Sequence, residues 1–189
     1  MDLTLILGPM KSGKSFDLIS HFAPLQYADI SHVLYQSARN VRDEKISSRN
    51  GVGIEAKKIK SLQEALDDNF SVVGIDEVHM FEPEDVKAVA ELLKRGTKVI
   101  VAGLDMDYKG ELFETVRRLF ELAPKEVKYK RSVCEVCHKF SGAYTQVYNQ
   151  GEPITHGMPS VIPEDGTFTY RPVCHHCFVS LEVPVATSI

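Results

Sequence analysis

The chain has 189 residues, 43% hydrophobic and 25% charged, with 26 Asp and Glu against 22 Lys and Arg for a net charge of −4. That composition excludes a disordered chain. It also argues against a protein that grips nucleic-acid backbone over a wide face, which calls for a basic excess or a basic stripe. No apolar run approaches the roughly 20 residues that span a bilayer, and Met1–Leu7 lacks the basic start of a signal peptide. A cytoplasmic protein with small-molecule partners, no nucleic acid and no membrane is expected.

Leu3–Leu7 reads as a short buried strand, broken by Gly8-Pro9 and followed from Ser15 by helical apolar spacing. Between them, Gly8, Pro9, Met10, Lys11, Ser12, Gly13, Lys14 and Ser15 satisfy G-x-x-x-x-G-K-[ST] in the strand-to-helix setting this phosphate loop requires. The glycines let backbone N–H groups face phosphates, Lys14 reaches the β/γ oxygens, and the Ser15 hydroxyl is a Mg²⁺ ligand. His32–Gln36 is a second strand, and the polar stretch from Ser37 to Gly51 is loop-like. Ser61 and Glu64 form a capping box ahead of a short helix, and the strand Ser71–Ile75 follows.

Asp76-Glu77 ends that strand. In doubly wound sheets the carboxyl ends of strands face the ligand crevice, so Asp76 is placed for the Mg²⁺ shell. Glu77 can take a proton from an attacking hydroxyl or water, or merely cap the next helix or face solvent. Pro83-Glu84-Asp85 opens a helix through Lys94, with Gly96 past its end, and Lys98–Gly103 is another buried strand. Strands that alternate with helices and read as apolar runs predict an α/β fold, a parallel sheet with helices on both faces.

After Val133 the pattern changes to short aromatic and β-branched runs bounded by turn residues, a small β-rich module. At its ends stand Cys134-x-x-Cys137 and Cys174-x-x-Cys177, separated by residues 138–173. Two such pairs in a reducing compartment point to a closed, structural Zn²⁺ site rather than disulfides. His138, His175 and His176 beside them read as surface or outer groups. The expected organisation is a P-loop domain over 1–130, a zinc ribbon over 131–183 and a tail over 184–189.

These residues resemble the type II thymidine kinases, the small zinc-ribbon P-loop deoxynucleoside kinases. The resemblance rests on the phosphate loop, Arg42 with Ser48-Arg49-Asn50-Gly51 after it, Asp76-Glu77, Gly103-Leu104-Asp105-x-Asp107-Tyr108, Phe113, both cysteine pairs, Ala143-Tyr144-Thr145 and Tyr170. It implies phosphorylation of the 5′-hydroxyl of thymidine or deoxyuridine by Mg·ATP, in nucleotide salvage for DNA synthesis. It further implies a homotetramer, feedback inhibition by dTTP, and a long ribbon loop, the lasso, that closes over the base. Glu77 becomes the general base, with Lys14, Ser15, Asp76 and Arg42 around Mg·ATP. Met10, Phe81, Leu104, Phe113, Thr145, Tyr170 and the lasso segment Ser160, Val161, Ile162 and Pro163 form the nucleoside site.

The chain departs from the family at His79 and Met80, where Gln and an aromatic residue are usual, and at Asn40, where many members carry Asp. It departs again at Val161–Thr169, which replaces a short Ile-Gly-Gly turn. A competing reading is a P-loop ATPase whose ribbon binds nucleic acid or a partner protein. The best basic cluster for it, Lys125, Lys128, Lys130 and Arg131, reads equally as a solvated face or a subunit contact.

Overall fold

The computed structural model describes residues 2–40, 45–47, 53–162 and 166–179. In chain order the strands are β1 (Leu3–Leu7), β2 (His32–Ser37), β3 (Lys45–Ser47), β4 (Gly53–Glu55), β5 (Lys57–Ile59), β6 (Val72–Asp76), β7 (Lys98–Gly103), β8 (Glu126–Tyr129), β9 (Tyr144–Asn149), β10 (Glu152–Pro153) and β11 (Thr169–Val173). The α-helices are α1 (Lys14–Phe22), α2 (Val86–Lys94) and α3 (Glu114–Phe120).

Six strands make one sheet in the order β5-β2-β6-β7-β1-β8, with every pairing parallel. Alternation along each strand sends side chains to two separate cores. Leu3, Leu5, Leu7, Val73, Ile75, Val99 and Val101 face the layer that holds α2 and α3. Ile6, Leu34, Val72, Ile100 and Ala102 face Leu18, Ile19 and Phe22 of α1. The sheet is therefore covered on both faces, which is why its central strands are uniformly apolar.

The edges differ from the sequence reading. Within the stretch expected to be a loop, Lys45–Ser47 pairs antiparallel with Gly53–Glu55. β5 and β8 carry lysines and glutamate because edge strands keep one side in water. The segment after Ser61 is a 3₁₀ helix, Leu62–Leu66, with the predicted capping box formed. The Pro83 helix begins as a 3₁₀ turn, Pro83–Asp85, before becoming α2. Buried Asp85 fixes that join by accepting the Leu62 N–H at 3.1 Å and the Glu82 N–H at 3.2 Å. Lys128 and Lys130 both reach Asp17 of α1, and Lys125 pairs with Asp2.

Beyond β8 the strands β10-β9-β11 form a small antiparallel sheet, with the two cysteine pairs at one end. Among the described residues, no helix is long and apolar enough to cross a membrane.

Candidate functional site

The loop after β1 brings its backbone to the sheet's carboxyl edge. Gly8 has φ +146°, and a Cβ there would sit 2.5 Å from the Lys130 carbonyl, so only glycine passes. Gly13, at φ +80°, turns the chain into α1 and leaves the helix N-terminus facing the crevice. Lys14 is buried, and its Nζ donates to the Pro9 carbonyl at 2.7 Å, which folds the ammonium back over the loop. Lys11 turns outward and ion-pairs with Glu135. The Met10 N–H donates to Thr145 Oγ1 at 3.0 Å. The phosphate loop is thus tied to the C-terminal module at two points.

Asp76 lies two strands away from β1 in the sheet, yet its Oδ1 is 3.5 Å from Ser15 Oγ. Burial first, and then the neighbouring Glu77 carboxylate, push Asp76 up to about 7. A carboxyl so placed gains strongly from a cation. Together with the Ser15 hydroxyl it offers the hard oxygen donors that Mg²⁺ takes. Of the three buried side-chain oxygens without a partner among the described residues, Ser12 Oγ lies in the phosphate loop and Gln36 Oε1 on β2, the third being Ser132 Oγ. Gln36 is the register partner of Asp76 on β2 and shares its face of the sheet.

Glu77 adopts φ 52°, a left-handed conformation that costs a non-glycine residue about 1 kcal/mol or more. Its N–H is held by Asp76 Oδ1 at 3.0 Å. The turn swings the half-buried Glu77 carboxylate to 3.6 Å from His79 Nδ1. This contact is not an ion pair. Burial, helped by Lys14, lowers His79 to about 3, so the ring is neutral. Nδ1 accepts the Leu104 N–H at 3.2 Å, which puts the ring proton on Nε2.

His79 leads into a cleft lined also by Leu104, Phe113, Thr145, Tyr108 and Tyr170, with Ser160, Val161 and Ile162 from the ribbon loop. Most residues predicted for the base therefore meet around one cavity. Met10 packs half-buried against the core and does not line it. Phe81 also lies apart: its ring is in the core, and its carbonyl accepts from Thr115 Oγ1 at 2.9 Å. Arg42 and Pro163 lie outside the described residues. Sequence reasoning left out Met106, Val147 and Gln36, and marked His79, Met80 and Tyr108 only as motif positions without a role in the cleft. Their signal was weak, because apolar and single polar residues at strand ends look like core.

The four cysteine sulfurs lie within 4.8 Å of one another and form a group that can hold a metal ion. Zn–S bonds of about 2.3 Å in a tetrahedron separate the sulfurs by about 3.8 Å. Cys137 Sγ and Cys174 Sγ are 3.8 Å apart. Against the cost of burial, backbone N–H groups lower Cys134 to about 6, whereas hydrogen bonding to the other sulfurs raises Cys177 to about 12. Four sulfurs at this spacing match the closed tetrahedral set that Zn²⁺ takes, and binding it would deprotonate them. His138, His175 and His176 are exposed and outside the cluster.

The model of the thymidine kinase family matches residues 1–178 of the chain.

Proposed function

The chain belongs to the thymidine kinase family, and on that premise we propose that it transfers the γ-phosphoryl group of ATP to the 5′-hydroxyl of thymidine, with deoxyuridine as the competing substrate. What supports this reading most is the position of Glu77. Its chain neighbour Asp76 meets the phosphate loop through Ser15, and its own carboxylate lies against His79 on the wall of the cleft. One carboxylate thus stands between a phosphate loop and a cavity with a phenylalanine and two tyrosines on its wall.

In the proposed reaction the nucleoside occupies the cleft with its 5′-hydroxyl toward Glu77. Glu77 accepts the hydroxyl proton as the oxygen forms its bond to the γ-phosphorus. The bond from phosphorus to the bridging oxygen breaks, and ADP leaves with that electron pair. Lys14, the loop N–H groups and the start of α1 stabilise charge on the phosphates. Ser15 and Asp76 would hold Mg²⁺, which would supply further neutralisation of the phosphates. The 158–162 segment excludes water from the cleft, which favours transfer over hydrolysis. Arg42 remains assigned to the phosphates by resemblance alone.

The same reading divides the chain into a P-loop unit over 1–130, a Zn²⁺-bound ribbon over 131–183 and a tail over 184–189. It takes the enzyme as a cytoplasmic homotetramer of the salvage pathway, inhibited by dTTP. The test is a transfer assay with Mg·ATP against thymidine, deoxyuridine, deoxycytidine and purine deoxynucleosides, with ADP release lacking any nucleoside as control. Thymidine-dependent monophosphate formation is expected. ATP hydrolysis indifferent to nucleoside would move the function to an ATPase.

A further inference from the structure

We propose that the Tyr108 hydroxyl is a latch: a positioning residue on the α/β body that holds the 158–162 segment over the cleft by gripping the backbone of Met158. The proposal rests on the reading that this cleft takes the nucleoside. Tyr108 stands in a hydrogen-bonded turn that follows β7. There Asp107 Oδ1 accepts the Lys109 and Glu111 N–H groups at 2.9 and 3.1 Å, and the Asp107 N–H donates to the Glu111 carbonyl at 2.8 Å. The Tyr108 side chain is almost fully enclosed, at 2% exposure. Its O–H donates to the Met158 carbonyl at 2.8 Å and accepts the Met158 N–H at 3.2 Å. Both backbone groups of one loop residue are thereby satisfied by one phenol, as a strand neighbour would satisfy them.

The loop needs such a tie. Ile154 pairs with Val147 at 2.8 Å, and the chain then has no strand or helix among its described residues until β11. The far side of the span is held by Tyr170, whose O–H donates to the Ile162 carbonyl at 3.2 Å. Tyr170 belongs to the same small module as the loop, so it cannot fix the loop to the body. Among the described residues, Tyr108 makes the only hydrogen bonds between the body and residues 154–162. Between the two phenols lie Ser160, Val161 and Ile162, the loop residues that line the cleft. Tyr108 and Ile162 also share an apolar cluster with Val147, which aligns the phenol with the loop.

Tyr108→Phe in the full chain removes both hydrogen bonds and keeps the ring. The thymidine KM is expected to rise about three- to tenfold, the usual effect of losing a modest hydrogen-bonded contact, with kcat and the ATP KM little changed. In the unliganded protein, amide exchange across 154–162 should quicken, while exchange across 3–22 stays as in the wild type. Unchanged exchange across 154–162 would overturn the latch, as would an unchanged thymidine KM or a joint shift of kcat and the ATP KM. If the wild type phosphorylates no nucleoside, the proposed function fails, and the exchange measurement alone decides the latch.

Discussion

The phosphate end of the site and the nucleoside end are built by opposite means. Around Lys14, Ser15 and Asp76 the geometry comes from the backbone of a sheet buried on both faces, with two glycines at positive φ. Around the cleft, one wall is built by the turns that follow β6 and β7, whereas the other is an irregular loop held by two tyrosine hydroxyls and a three-stranded sheet beside four cysteines. The first end is preorganised and the second is assembled. An enzyme that must admit a nucleoside and then exclude water gains from having its weaker structure on the side that opens.

The sharpest way to break this comparison is at the residue where the two ends meet. Glu77→Gln should lower phosphoryl transfer by about 10²–10⁴-fold, the range of a positioned base, with binding of Mg·ATP and thymidine retained. Steady-state rates beside a separate ATP titration check it, and wild-type turnover would remove Glu77 from the mechanism. Gly8→Ala strikes the preorganised end alone. The added Cβ meets the Lys130 carbonyl in a conformation that itself costs about 1–3 kcal/mol. ATP affinity should fall at least tenfold and the melting temperature should drop, both readable in one thermal-shift series with and without nucleotide.

A milder change tests the joint. Thr145→Val keeps the shape but leaves the Met10 N–H without its acceptor. Because Thr145 also lines the cleft, the KM values for ATP and thymidine should rise together, by about three- to tenfold. A rise in only one of them would show that the two ends are not coupled there.

A change of pH tests His79. Its folded pKa lies near 3 against an ordinary 6.5, so below pH 6.5 the unfolded chain takes up a proton that the native ring refuses. The His79 contribution to native stability should therefore fall as pH drops from about 6.5 toward 3, by at most about 1.4 kcal/mol per pH unit, against the opposite contribution of Asp76, which keeps its proton up to about pH 7. Urea denaturation of His79→Gln across that window should lack the destabilisation on acidification that His79 contributes. An unchanged slope would mean that the ring is protonated in the native state.

Legibility in the sequence follows the same division. The phosphate loop, the central strands and the Asp76-Glu77 turn could be read because motif, apolar run and strand end coincide within a few residues. β5 and β8 were missed because edge strands can be polar, and β3 and β4 because three-residue strands carry too little pattern. Met10 and Phe81 could not be separated from the cleft wall by sequence alone, since an apolar side chain near a sheet end serves core or ligand equally well. Tyr108 shows the reverse case. It looks like a core aromatic, and only its distance to Met158, 50 positions along the chain, reveals what the hydroxyl does.

The measurement that tests the division most directly is a pair of binding titrations on protein stripped of metal by a chelator, repeated on Cys134→Ser. Loss of the metal should unfold the ribbon and abolish thymidine binding, while an ATP analogue with Mg²⁺ loses no more than the roughly three- to tenfold expected from the Met10–Thr145 contact. Retained thymidine binding, or loss of both ligands together, would contradict the account.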